Sequence, residues 1–305
     1  MKMLSVQAQW VEQQTESTSF KLKTRPWMAT LILVGGLMLL VFGMAVSGAM
    51  MQGMTRNPLA DSGLLGLNAG AGLMVILFIS FYSSTSAVPV LLLPLLALIG
   101  ASLTAIIIFS LSYKKNDGLH PNRLLLTGIG VAAAISAATI VLTLSLSPEN
   151  YKFVANWMAG SIWGANWEFV LALLPWMLTL LPYAFFKAPV LNILNLGDQT
   201  ATGLGASVEK ERVKLLAVAI GLAGSCVSVS GGIGFVGLIG PHMARRLVGP
   251  KHQMLIPISA MLGSLLVIVG DIIGRWLLQP SEIPTGIVVA VIGAPYFLYL
   301  LGRTK

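Results

Sequence analysis

Apolar runs of about twenty residues, most of them uncharged, follow one another along most of this chain, and nothing constrains its fold more. Trp27–Met50, Leu64–Tyr82, Val88–Ser112, Leu124–Ser147, Phe169–Phe186, Leu215–Ser230, Phe235–Val248, Leu255–Leu278 and Pro284–Leu301 are the candidate segments. A helix rises 1.5 Å per residue, so about twenty residues cross a hydrocarbon layer. Only 30 of 305 residues are charged, and 56% are apolar. A soluble globule is excluded, and the chain reads as an all-α polytopic membrane bundle of about nine segments.

The net charge of +8 would in a soluble chain suggest nucleic acid. Here the cations sit in loops. Arg56, Lys114–Arg123, Lys187–Lys214, Arg245–Lys251 and Arg303–Lys305 hold thirteen Lys and Arg, while the intervening loops hold only Lys152 and Arg275. The basic-side rule puts the first set in the cytoplasm, with no nucleic-acid partner required. Residues 1–26 form a polar segment followed by a full-length apolar run, so no cleavable signal is expected. Lys21, Lys23 and Arg25 precede the first span and Arg56 follows it, so both of its flanks pull toward the cytoplasm.

Leu215–Ala244 is uncharged for 30 residues between two cytoplasmic loops. Two full spans need about forty. A shortened or broken helix must return the chain, with Ser230-Gly-Gly-Ile-Gly234 and then Pro241 supplying the break. Irregular backbone at membrane depth survives only inside protein or along an aqueous cavity.

The chemistry is sparse. No titratable group is expected at mid-span, which argues against an intramembrane enzyme and against an ion-coupled carrier. His120, His242 and His252 lie near loop ends at no metal-ligand spacing and read as interfacial or capping residues. The single Cys226 excludes an intrachain disulfide or a Cys-built metal site, so neither metal nor cofactor is expected. Asp271 and Glu282 flank the last outer loop, where Arg275 pairs readily with Asp271 four residues earlier. The loop Ile193–Lys214 is amphipathic and mixed in charge, suiting either a docking surface or a solvated connection.

Four ordered stretches carry a more specific signal. They are Gly48–Gln52 with Arg56-Asn57-Pro58-Leu-Ala-Asp61 and Leu65–Gly72; Leu196-Gly197-Asp198-Gln-Thr-Ala201-Thr-Gly-Leu204-Gly205; Gly234–Pro241-His242 with Arg245 and Gly249; and Asp271–Arg275 leading to Glu282-Ile-Pro284-Thr-Gly286 and Gly293–Phe297. Together they resemble the FecCD family of ABC-importer permeases, which carry iron chelates, haem and vitamin B12. The resemblance runs from about Gly48 to the C-terminus and implies a BtuC-like permease over residues 27–305, without enzymatic activity of its own. It also implies a second permease subunit, identical or paralogous, two cytoplasmic ATPases, an extracytoplasmic binding lipoprotein and a place in the cell membrane.

Residue by residue, the resemblance makes 193–214 the ATPase-coupling loop, with Gly197, Asp198, Ala201, Leu204 and Gly205 at its centre. Pro121 and Asn122 fall near the cytoplasmic gate of a path lined by Leu124–Ser147 and the last span. Arg275 matches a position that pairs with acidic residues of the binding protein. Gln52, Arg56, Asn57, Pro58, Pro241, His242, Glu282 and Pro284 belong to the motif itself. Gly160-Ser-Ile-Trp-Gly164 and the Pro295–Leu301 ending look most like ferric-siderophore permeases of Gram-positive bacteria; vitamin B12, haem, an ion-coupled carrier and an inactive deletion variant are the alternatives. Members of the family have two spans before the Arg56–Asp61 element where this chain has one. The resemblance therefore implies an internal deletion fusing the first two helices near Val46-Ser-Gly48, which accounts for the two basic flanks.

Overall fold

The computed structural model describes residues 26–82, 91–115, 118–162, 167–277 and 283–303. Its helices are α1 (Pro26–Thr55), α2 (Leu67–Phe81), α3 (Leu92–Ser112), α4 (Pro121–Thr143), α5 (Pro148–Ala159), α6 (Trp167–Phe186), α7 (Ala188–Asn195), α8 (Asp198–Gly203), α9 (Val208–Ser230), α10 (Val236–Val248), α11 (His252–Leu277) and α12 (Thr285–Arg303). A two-stranded antiparallel ribbon, Tyr113–Lys114 with Gly118–Leu119, joins α3 to α4. The membrane bundle expected from the apolar runs is present. Among the described residues five helices, within α3, α4, α6, α9 and α11, are long and apolar enough to cross a bilayer, and α2 and α12 hold shorter apolar stretches.

α1 is the central strut, packed against α6, α7, α9, α10 and α11. Every residue from Gly43 to Thr55 is buried, as a helix apolar on all sides requires. Its few polar side chains bond backbone: Ser47 Oγ donates to the Ala219 carbonyl at 2.7 Å and Thr55 Oγ1 to the Met51 carbonyl at 2.7 Å. Gly48 lies directly on the backbone of Gly237, where a Cβ has no room; small residues let backbones meet where lipid gives no drive for association. The helix is continuous through Val46-Ser47-Gly48 and runs to Thr55, beyond the Met50 expected from hydropathy. Arg56, with φ +55, ends it, and the Asn57 side chain accepts from the Leu59 N–H at 2.9 Å in a local turn.

Three expectations change at this level, and the ends of one span shift. Leu64–Tyr82 is not a full-length span: a 3-10 turn over Ser62–Leu65 precedes a 15-residue α2. Its first cap, Gly66, packs on Ala132, eleven residues up α4 from Pro121 and so about 16 Å along that helix. The chain after Arg56 therefore turns back into the bundle before α2 begins.

That fold-back places Asp61 at depth, against Gly237 at the start of α10, and leaves it only 8% exposed. The expectation of no titratable group at mid-span fails for this reason: in sequence Asp61 reads as a loop residue.

Leu124–Ser147 is present as one span, α4, with its ends shifted by three or four residues. Pro121 opens α4 at a position that needs no N–H, α4 ends at Thr143, and Ser147 caps a separate amphipathic α5 by accepting from the Asn150 N–H at 3.3 Å.

The return through a broken helix is present, but Pro241 is not part of the break. Gly231, with φ +69, ends α9, and Phe235, with φ +65, starts a 13-residue α10 that contains Pro241. Pro241 lacks the N–H that would bond the Gly237 carbonyl. Gln52, 2% exposed, points Nε2 at the carbonyls of Gly237 and Leu238, 3.4 Å from each. A side chain of α1 thus takes over the hydrogen bond that the proline removes.

Candidate functional site

The basic end of the bundle gathers around Arg212. In α9 the residues Arg212, Leu215, Leu216, Ala219, Leu222, Ala223 and Cys226 form one buried face, so the guanidinium enters the protein on an apolar stripe and must be paired. Its Nη2 lies 2.9 Å from Asp198 Oδ1, and its Nη1 donates to the Leu119 carbonyl at 3.2 Å. Asp198, the first residue of α8, also receives Arg56 at 3.4 Å. Burial would raise the Asp198 carboxyl, but the hydrogen bond and charge of Arg212, backed by Arg56 and His120, hold it below the usual carboxylate range. The β ribbon and α8 are thereby fixed to one side chain of α9, and the end of α1 joins them through Asp198.

α8 is held and presented by its ends. Gly197 has φ +105 and ψ 155, and Gly205 has φ +83; the first of these regions is essentially closed to other residues. Ala201 is fully buried, anchoring the inner face, whereas Gln199, Thr200, Thr202, Gly203, Leu204 and Gly205 are exposed. Leu204 stands 61% exposed. The expected coupling residues therefore divide by role: Asp198 and Ala201 face inward, and Leu204 with Gly205 faces out. Lys187, just before α7, bonds Glu211 at 2.7 Å and ties this segment to α9 a second time.

Beside this cluster a cleft of about 640 Å³ is lined by Thr55, Arg56, His120, Pro121, Asn122, Arg123, Leu126 and Thr127. It brings the expected gate residues Pro121 and Asn122 together with Arg56 of the first motif. Above it α4 is mostly exposed, with Gly130, Ala133, Ala134, Ala137 and Ala138 open on its surface.

The remaining motif residues are dispersed. Pro58 is exposed at the turn after α1, and Pro284 immediately precedes α12. The His242 ring stands edge-on to Tyr296, 5.8 Å between centroids. Glu282 and the Trp163-Gly164 part of the outer-loop motif lie outside the described residues. At the far end of α11, Arg275 pairs with Asp271 at 2.7 Å while keeping its side chain 45% exposed, and Asp271 also accepts from Thr285 at 2.9 Å.

Two functional-looking residues are absent from the site residues expected from sequence. Arg212 could have been found from its i, i+3, i+4 and i+7 spacing to Leu215, Leu216 and Ala219, which places it on the buried stripe. His252, expected near a loop end, is instead completely buried and bonded to Asn192; no local signal marks that pairing across 60 residues.

Residues 3–303 match the FecCD transport family. The chain belongs to the FecCD transport family. This FecCD chain is 50% identical over 267 residues to the iron(3+)-hydroxamate import system permease FhuG of Bacillus subtilis, covering 86% of the chain and 79% of that relative. It is 39% identical over 270 residues to the hemin transport system permease HmuU of Yersinia pestis, covering 86% and 78%. A solved metal-chelate type ABC transporter in an inward-facing conformation superposes with TM-score 0.78 at 29% identity, over 90% of this chain and 87% of that one. FecCD proteins are transport permeases rather than an enzyme family, and an ABC permease works with ATPase and permease partners. The chain is accordingly a multi-pass membrane protein.

Proposed function

We propose that this chain is the membrane-spanning permease of a cell-membrane ABC importer for ferric siderophores, with the hydroxamate class as the favoured cargo. The single observation carrying this is the 50% identity to a hydroxamate permease over 86% of the chain. In this reading residues 27–305 form the permease and 193–214 its coupling loop. The ATPase seats on the outward residues of α8, Leu204 and Gly205 above all. Asp198 holds α8 through Arg212, Gly197 gives its start the required backbone, and Ala201 packs its inner side. The cleft bounded by Arg56, Pro121 and Asn122 is the cytoplasmic mouth, and the exposed small residues of α4 face the path and the second permease. Arg275, half-exposed at the opposite end, meets an acidic residue of a binding lipoprotein, where a rim pair serves encounter and register more than affinity.

The test is reconstitution of the chain with its ATPase and binding protein in vesicles, measuring radioactive iron taken up as a ferric hydroxamate. Uptake that requires ATP and survives dissipation of the membrane potential is expected. Uptake that survives ATP removal and collapses with the potential would overturn the reading in favour of an ion-coupled carrier. ATP-driven uptake of haem or vitamin B12 in place of the hydroxamate would correct the cargo alone.

A further inference from the structure

The residues before α11 are Gly249, Pro250 and Lys251, which offer none of the side chains that cap a helix start. Its first donor is satisfied from elsewhere. Asn192 Oδ1, on α7, accepts the His252 backbone N–H at 2.9 Å and lies 2.8 Å from His252 Nδ1. Asn192 Nδ2 donates to Gln253 Oε1 at 2.8 Å. With the amide nitrogen turned to Gln253, the oxygen faces His252, and Nδ1 of that ring carries the proton.

The ring itself is 0% exposed and wedged against Gly53 of α1, where a Cβ has no room. Nε2 has no hydrogen-bond partner among the described residues. One amide thus fastens α7 to the foot of α11 while α1 packs behind it. α11 is 26 residues long, about 38 Å, and carries Asp271 and Arg275 at its other end. α8 follows α7 directly, and its own tie, Asp198, goes to α1 and α9 instead. The two ties lead to different helices.

We infer that Asn192 is a positioning residue for transport: its clasp on His252 transmits displacement of the α7–α8 segment to α11. This rests on the reading that the segment receives the ATPase. The clasp is suited to the task because it joins two helix ends through three hydrogen bonds of one side chain, so α7 cannot shift without carrying the start of α11.

The test uses the complete transporter, chain with ATPase and binding protein, in vesicles, and reads iron taken up per ATP hydrolysed. Asn192→Ala is expected to assemble and hydrolyse ATP while that ratio falls about tenfold, within the span of ordinary coupling free energies. Asn192→Asp keeps the acceptor and is expected to recover most of the ratio. A purely structural role would lower yield, hydrolysis and uptake together and leave the ratio unchanged; that result overturns the inference. Should Asn192→Ala not assemble, Gly53→Ala reaches the same ring from α1, and an unchanged ratio there overturns it equally. ATP-driven uptake with a normal ratio in Asn192→Ala removes only the clasp. Uptake by the unsubstituted transporter without ATP removes the coupling reading beneath it.

Discussion

Asp198→Ala strips the carboxylate from a guanidinium that is only 6% exposed, leaving it the Leu119 carbonyl alone. Deleting one partner of a fully buried pair costs about 3–5 kcal/mol, and an exposed pair is worth about 0–1. Because Asp198 is 38% exposed, solvent screens the pair, and a coupling of about 1–2 kcal/mol is expected between Asp198 and Arg212. The Arg56 contact is longer, 3.4 Å between side chains 43% and 38% exposed, and should give no more than about 0.5 kcal/mol.

Double-mutant cycles of Asp198→Ala with Arg212→Leu and with Arg56→Ala, read by unfolding in detergent, separate the two. Additivity of the Arg212 cycle within about 0.3 kcal/mol would refute the reasoning, as would an Arg56 coupling of equal size. The sign with pH is fixed by the lowered carboxyl. Its contribution is fully present above the ordinary Asp value of about 3.9 and is lost only as pH falls through the lower folded value. The tether should therefore be constant from pH 5 to 8, and a difference between wild type and Asp198→Ala that changes across that interval would count against it.

Four further outcomes are expected. Gly197→Ala should reduce ATPase association in pull-down more than Gly205→Ala, because Gly197, at φ +105 and ψ 155, lies in a region closed to other residues and its Cβ would press on Arg56, whereas Gly205, at φ +83, has open space around it. Gln52→Leu removes donors to two carbonyls at long range, costing about 1 kcal/mol, whereas Gln52→Glu sets a buried anion against the same carbonyls and should abolish accumulation in the membrane fraction. Arg275→Ala breaks an exposed i, i+4 pair, so the melting temperature should hold while binding-protein capture slows at low salt. Asp61→Asn keeps the packing and hydrogen-bonding shape and should leave ATP-driven uptake within about twofold; collapse of uptake at normal yield would mean that its charge takes part in transport.

Much of the membrane architecture was legible because hydropathy and length act on each helix by itself. The break after Ser230 followed from arithmetic: 30 uncharged residues between two basic loops cannot hold two spans. What escaped depends on partners distant in sequence. Gly66 starts α2 at depth because Ala132 supplies a surface for it, and Pro241 is tolerated within α10 because Gln52 lies beside the carbonyls it leaves. The end of α4 at Thr143 was hidden because Leu144 and Leu146 continue the apolar run, although Ser147-Pro148-Glu149 is a legible helix start. In the segment 193–214 the glycines and Asp198 were readable from motif order. The inward direction of Asp198 was not, since it is set by which face of α9 is buried.

Asp61 alters one step of the functional argument. An absence of titratable groups at mid-span cannot be used against an ion-coupled carrier when a carboxyl sits beside the start of α10. Its surroundings nevertheless give it a structural task. It precedes the 3-10 turn, accepts from Ser62 Oγ at 3.4 Å, and touches Gly237 at the first turn of α10, so it stands at two helix starts whose dipoles favour an anion. Gln52 serves the carbonyls of that same first turn from α1. The two places where backbone becomes irregular inside the bundle are thus flanked by one acceptor, Asp61, and one donor, Gln52. That arrangement lowers the cost of irregular backbone in a medium that supplies no water. It makes the polar node a requirement of the fold, so the energy source must be decided by ATP dependence rather than by the presence or absence of a buried charge.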